Sequence, residues 1–382
     1  MNTADYPRLL PPPRSSFFLF GARGTGKSTW LRRHFPQARY VDLLDERRYQ
    51  RLLADAGLFH DELSVLPAGS WVAVDEVQRL PSLLNEVHRL IEERRLKFAL
   101  SGSSARKLRR AGVNLLAGRA LRRAMYPLTP AEMGEDFDLD RALRFGTLPL
   151  VIRAEEPGET LEAYVRMYLR EEIQAEALVR NLPGFSRFLP VAALFHGQVL
   201  NLAAVARDAG VTRPTVQGFF EVLEDTLLAR RLPAFEGRLR VRERKHPKLY
   251  WVDPGIVRAA RGHLHPPGSE EMGSLLEGLV HMLLAFQQDT FGEIDELAYW
   301  APAESPRTEV DFVVRRGSEI TAIEVKATGR LRGDDLRGLQ AIGGLRGLGR
   351  RLLVYLGREK LQREGIEVLP FGTFAEELSR IV

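Results

Sequence analysis

Residues 17–29 read Phe17-Phe18-Leu19-Phe20-Gly21-Ala22-Arg23-Gly24-Thr25-Gly26-Lys27-Ser28-Thr29, and the rest of the chain makes sense as something attached to them. Phe17 to Phe20 form a short apolar run with no polar face, the pattern of a central strand in a parallel sheet covered on both sides. Gly21 to Ser28 fit G-x-x-x-x-G-K-[ST] at every fixed position, and Thr29-Trp30-Leu31-Arg32-Arg33-His34 continues as a helix. The glycines let the loop turn with its N–H groups inward, and the following helix directs the positive end of its dipole at the same place. A nucleoside triphosphate, expected to be ATP, would lie against Gly21, Ala22, Arg23, Gly24, Thr25, Gly26, Lys27, Ser28 and Thr29. Lys27 would reach the β- and γ-phosphates and the Ser28 hydroxyl would sit on Mg²⁺. An ordinary tight turn has no use for Lys27.

The chain has 382 residues, 45% hydrophobic and 27% charged, which points to a globular protein of two or three domains. It contains no cysteine, so disulfides, thiolate zinc sites and cysteine nucleophiles are all excluded. Met1 to Pro13 shows no apolar segment preceded by basic residues, and no run of about 18 apolar residues occurs anywhere. The expectation is a cytoplasmic protein with no membrane partner. The net charge of +5 is a weak hint of a polyanionic partner. Only seven of the 55 basic residues are lysine, an arginine bias that genome composition explains as well as nucleic acid does.

Trp71-Val72-Ala73-Val74-Asp75-Glu76 reads as an apolar strand ending in two carboxylates. Behind a phosphate loop, Asp75 would hold Mg²⁺ and Glu76 would position the attacking water. Phe98 to Ser104 form another strand ending in small polar residues, with Ser101 or Ser103 near the γ-phosphate as a sensor. Arg119 in Leu115-Leu116-Ala117-Gly118-Arg119, with Arg122 and Arg123 behind it, would project toward a neighbouring subunit's γ-phosphate.

This order of phosphate loop, Val74-Asp75-Glu76, Leu100-Ser101-Gly102-Ser103 and Gly118-Arg119 resembles an AAA+ ATPase. More narrowly it resembles the prokaryotic AAA-family ATP-binding proteins that carry a C-terminal domain of unknown function. The resemblance spans nearly the whole chain. It implies a ring with nucleotide at subunit interfaces, expected as a homohexamer. Residues after 130 are helical by pattern, broken at Gly146-Thr147-Leu148-Pro149, and suit a lid over the nucleotide. Arg166 or Arg170 would touch phosphate as a second sensor, or pair with Glu171, Glu172 and Glu176 on a helix face.

From Leu202 the pattern changes. A short helix stops at Gly210, and another starts at Thr212 as N-cap. This is helix-turn-helix spacing, in which Arg213, Thr215 and Gln217 would face duplex or branched DNA. Ala229 to Phe235 and Lys248 to Asp253 read as strands whose connector would form the wing of a winged helix. Arg238, Arg240, Arg242, Arg244 and Lys245 on it would neutralise phosphates.

In the last third, Asp311 begins one strand, and Glu324-Val325-Lys326 ends a second, with Glu324 and Lys326 on the same face. Two carboxylates there can hold Mg²⁺ or Mn²⁺, and a lysine beside them can orient or deprotonate water. The set resembles PD-(D/E)XK restriction-endonuclease-like nucleases. That resemblance implies a metal held by Asp311 and Glu324, with Glu277 on the preceding helix completing the shell, Lys326 catalytic and Gln340 a further member. Pro306 stands five positions before Asp311 rather than beside it, so binding without cutting stays open.

The expected fold class is α/β, in four parts. These are a phosphate-loop AAA+ core at 1–130, a helical lid at 131–195, a winged helix-turn-helix at 196–258 and a restriction-endonuclease-like α/β domain at 259–382. The leading expectation is an ATPase that remodels or translocates DNA, with Mg²⁺-dependent cleavage. The alternatives are a nucleotide-switched DNA-binding or regulatory ATPase with a non-cutting C-terminal domain, and a module that binds protein.

Overall fold

The computed structural model describes residues 6–104, 108, 118–168, 181–236, 245–303, 305 and 308–381. Five parallel strands, β1 (Phe17–Phe20), β2 (Arg39–Asp42), β3 (Trp71–Asp75), β4 (Lys97–Gly102) and β5 (Leu121–Ala124), lie in the order β2-β3-β4-β1-β5. All four side chains of β1 are buried, and they alternate between two cores. Phe17 and Leu19 pack on Trp30 and Leu31 of α1 (Lys27–His34). Phe18 and Phe20 join Val72, Val74, Phe98 and Leu100 under α2 (Glu46–Ala54), α3 (Gly57–Ser64) and α4 (Leu83–Arg94). A strand apolar on both faces is stable only between two helical layers, so this run takes the centre of the sheet.

Beyond β5 come short helices at Pro130–Met133, Leu139–Phe145 (α5), Pro149–Ile152 and Pro157–Ala163, and then α6 (Leu182–Leu194). The next module holds β6 (Gln198–Val199), α7 (Leu202–Ala209), α8 (Arg213–Asp225), β7 (Ala229–Leu232) and β8 (Lys248–Trp251). Its strands form an antiparallel sheet in the order β6-β8-β7. Asn201 caps α7 by accepting from Ala203 and Ala204, and Gly210 ends it in the left-handed region at φ +62°. Thr212 caps α8 by accepting from the Thr215 N–H.

After α9 (Pro254–Arg261), the long helix α10 (Ser269–Phe291) leads into the last sheet. This contains β9 (Glu296–Trp300), β10 (Val310–Arg316), β11 (Glu319–Lys326), β12 (Leu348–Tyr355), β13 (Leu361–Arg363) and β14 (Ile366–Pro370), followed by α11 (Phe371–Ile381). Its order is β13-β14-β12-β11-β10-β9, parallel only across β11-β12 and β12-β14. One apolar cluster joins Leu143 and Phe185 to Phe220, Trp251, Leu279, Phe312 and Leu352. The helices after β5, the helix-turn-helix and one face of the last sheet therefore share a core.

Candidate functional site

The phosphate loop is drawn tight by two left-handed glycines, Gly24 at φ +82° and Gly26 at φ +89°. Gly26 stands at the N-cap of α1, whose first turn carries no acidic residue. Lys27 is buried, and among the described residues its hydrogen-bond partners are the carbonyl oxygens of Gly21 (2.8 Å) and Ala22 (3.3 Å). A buried ammonium facing only carbonyls, at the positive end of a helix, fits a polyanionic ligand. Three elements that the motif does not foretell tie the loop from outside. The Leu150 N–H donates to Gly24 O at 3.3 Å, the Tyr164 hydroxyl to Arg23 O at 3.1 Å, and the Arg8 guanidinium to Thr25 O at 3.2 Å. Each uses a carbonyl of the loop rather than an N–H. Arg8 is itself anchored on Glu132 at 3.1 Å.

Asp75 is buried at the end of β3 and accepts from the Tyr40 hydroxyl (2.6 Å) and from Ser101. Burial, and then Asp75, push the Tyr40 pKa up, so the phenol stays a donor. Ser101 is thus paired to the acid expected to hold Mg²⁺. Glu76 adopts φ +58°, rare for a residue with a side chain, and accepts from Gln78. Gln78 also donates to Ser103 Oγ at 3.1 Å, which makes it a bridge that the sequence did not reveal. Gly102 leaves its room: a Cβ there would meet Gln78 Oε1 at 2.4 Å. Ser28, the other residue expected at Mg²⁺, is half-buried. Arg119 pairs with Glu92, and Arg166 is exposed and pairs with Glu162 instead of reaching the loop. Arg170 lies outside the described residues.

The cover of the phosphate loop continues into the helix-turn-helix module. Thr147, three residues before Leu150, donates its N–H to Asp253 Oδ2 at 2.7 Å. Asp253 also caps α9, accepting from the Ile256 N–H at 3.1 Å. The approach is close on both sides. A Cβ on Gly146 would lie 1.8 Å from Asp253 Oδ1, and one on Gly255 would lie 2.1 Å from Phe145 O. In the helix-turn-helix, Arg213 is exposed and Thr215 and Gln217 are half-buried, with Gln217 donating to Glu221 at 3.3 Å. Lys245 is exposed, whereas Arg238, Arg240, Arg242 and Arg244 lie outside the described residues.

The C-terminal carboxylates line a groove of about 980 Å³ between the helix-turn-helix module, α10 and the last sheet. The expected metal set was Glu277, Asp311 and Glu324. Instead, the carboxylates whose oxygens converge within 4.8 Å are Glu277, Glu309 and Asp311. Glu324 pairs with Lys326, and its Oε2 is buried without a hydrogen-bond partner among the described residues. Inside the convergent set lies the Lys248 ammonium of β8, 2.9 Å from Glu277, 2.6 Å from Glu309 and 3.4 Å from Asp311. The Tyr250 hydroxyl donates to Glu277 as well.

The expected metal residues Glu277 and Asp311 thus come together with Glu309 rather than Glu324, and the Lys248 ammonium lies among their oxygens. Burial opposes the charge on Lys248, but Glu277, Tyr250, Asp311 and Glu309 outweigh it and raise its pKa. Lys326 behaves alike: burial opposes its charge, while Glu324 and Asp311 raise its pKa. Burial, and then Asp311, push Glu277 up to about 7. Gln340 donates to Glu364 on the exposed surface and is not part of the groove lining.

Two buried histidines back this cluster. His196 Nδ1 accepts from the Trp251 N–H at 3.1 Å, and the His281 ring stacks on Tyr250 at 4.3 Å. Burial, and then Arg261, push the His196 pKa down to about 4. The unfolded chain takes up that proton near pH 6.5, the folded chain only near pH 4. His196 therefore contributes stability that is present above pH 6.5 and lost as pH falls through this window, on the order of 3 kcal/mol. Asp253 and Glu277, raised by burial to about 6 and about 7, act in the opposite direction. The expected result is that urea-unfolding free energies of wild type and His196→Gln converge between pH 7 and pH 4.5. Parallel profiles would contradict it.

Residues 13–134 match a family described as AAA domain. Residues 136–265 and 272–374 match two domains of unknown function, DUF8612 and DUF4143. An uncharacterized protein of Mycobacterium tuberculosis is 26% identical over 323 residues, 81% of this chain and 70% of that protein. An uncharacterized protein of Haemophilus influenzae is 20% identical over 321 residues, 79% and 76% of the two chains. Among solved structures, Aeropyrum pernix ORC1 in complex with DNA covers 66% of this chain and 87% of its own, at TM-score 0.27 and 14% identity. Replication initiator DnaA, bound to AMPPCP and single-stranded DNA, covers 56% and 84%, at TM-score 0.29 and 15% identity. No helix among the described residues is long and apolar enough to cross a membrane. The chain is an α/β protein whose N-terminal region is AAA-like and carries a phosphate loop.

Proposed function

We propose that this protein is an ATP-hydrolysing switch that binds DNA through its helix-turn-helix module and changes that binding with its nucleotide state. The observation that carries the reading is the connection at Asp253. One buried carboxylate, two residues after the end of β8, accepts from both the segment covering the phosphate loop and the N-terminus of α9. In this reading Lys27 leaves the Gly21 and Ala22 carbonyls for the β- and γ-phosphates. Ser28 and Asp75 would hold Mg²⁺, which would neutralise charge on the phosphates. Glu76, released from Gln78, orients water, and Ser101 reports the γ-phosphate to Asp75. Arg119 exchanges Glu92 for a neighbour's nucleotide in a homohexameric ring. A phosphate group bound by the loop N–H groups shifts the loop whose carbonyls Leu150 and Tyr164 hold, and the moving cover pulls on Asp253.

Lys248 in the carboxylate cluster favours the non-cutting alternative over a motor-nuclease. The test is fluorescence anisotropy of duplex and branched DNA with a non-hydrolysable ATP analogue or ADP, at two salt concentrations. Affinity should differ between the nucleotides in wild type, lose that difference in Lys27→Ala, and fall steeply with salt. Arg213→Ala should weaken binding by about 1–3 kcal/mol, roughly 5- to 150-fold. Affinity indifferent to nucleotide sinks the switch. DNA-stimulated turnover with strand displacement would return the motor.

A further inference from the structure

We infer that Lys248 is a lock on a divalent-cation site: its ammonium and a Mg²⁺ or Mn²⁺ ion compete for the same oxygens of Glu277, Glu309 and Asp311. The ammonium stands within 3.4 Å of all three carboxylates, where a cation bridging them would be. Two cations cannot share that space, because like charges at such separation repel strongly in a buried site.

The lysine is built into its place. It is 1% exposed, its strand is paired to β6 and β7 on both sides, and its ammonium lies 5.4 Å from the centre of the Tyr299 ring. A second observation points to a missing positive charge. Among the described residues the four carboxylates of Glu277, Glu309, Asp311 and Glu324 have two cations as ion-pair partners, Lys248 and Lys326, and the buried Glu324 Oε2 lining the same groove has no hydrogen-bond partner. The pairing has a further consequence for assembly. Lys248 belongs to the helix-turn-helix module, and the carboxylates to α10, β10 and the residue before β10, so the lock also holds the module against the C-terminal domain. The cation enters when β8 withdraws.

The experiment uses the full-length, nucleotide-free chain with Mn²⁺ as probe, free ion being followed by electron paramagnetic resonance. Wild type should show no site that depends on Glu309. Lys248→Met should gain one Mn²⁺ per chain, at least ~100-fold tighter than wild type, the scale of removing one close like charge. Lys248→Met/Glu309→Gln should lose it. Lys248→Gln, which keeps a donor for the carboxylates, guards against loss of fold, and Mn²⁺ should raise its melting temperature but not that of wild type. Two outcomes overturn the lock: Mn²⁺ bound by wild type and lost in Glu309→Gln, or a folded Lys248 variant that gains no site.

Discussion

Lys27→Ala is expected to lower ATP turnover by about 100- to 1,000-fold, the range seen when one preorganised charge on a transferring group is removed. The same substitution should leave the melting temperature of the nucleotide-free protein unchanged or raise it. That combination follows from the surroundings of the side chain. Lys27 is buried against two carbonyl oxygens, with no carboxylate among its described partners, so its charge is poorly compensated until a polyphosphate arrives. A residue kept for ligand rather than for the fold shows this split between activity and stability. Turnover measured by phosphate release, beside a thermal scan with and without ATP, decides the matter. Wild type should gain stability from ATP and Lys27→Ala should not. Equal turnover in both proteins would remove the phosphate loop from the mechanism.

Gly255→Ala is expected to destabilise the protein by about 3 kcal/mol or more, because overpacking against backbone has no inexpensive relaxation. The added methyl would lie 2.1 Å from Phe145 O and 2.4 Å from Phe145 C, so α9 and the end of α5 must separate. Separation also loosens Asp253 from Thr147, and any nucleotide dependence of DNA binding should fall with it. Gly273→Ala in α10 is the control. A Cβ there meets nothing within 4 Å, and alanine is the better helix former, so a gain of about 0.5–1 kcal/mol is expected. Urea unfolding of the three proteins reads both effects. Equal midpoints for wild type and Gly255→Ala would mean that this junction is not close-packed.

Much of the site was legible before the fold was known, and the reasons are local. The strand, glycine loop and helix of residues 17–34 are set by apolar run, turn chemistry and spacing. The same holds for the cap Thr212, the stop at Gly210, and the shared face of Glu324 and Lys326. Gln340 shows the limit of a motif match: it lies on the short helix Arg337–Ala341 between β11 and β12, not after the sheet, and its side chain pairs with Glu364. Lys248 left one faint signal, a lone charge before the apolar run Leu249-Tyr250-Trp251-Val252 in a chain with few lysines.

By itself, then, the sequence determined what neighbours in the chain can decide: a phosphate loop between strand and helix, a capped helix-turn-helix, and two carboxylates with a lysine on paired strands. Only the tertiary structure decided which charges meet. Lys248 joins Glu277, Glu309 and Asp311 from 29 to 63 positions away, and Asp253 reaches Thr147 across 106. Backbone periodicity repeats every two or 3.6 residues and is written locally. A long-range ion pair depends instead on how separate elements pack, because burial removes the solvent that would otherwise let each charge stand alone.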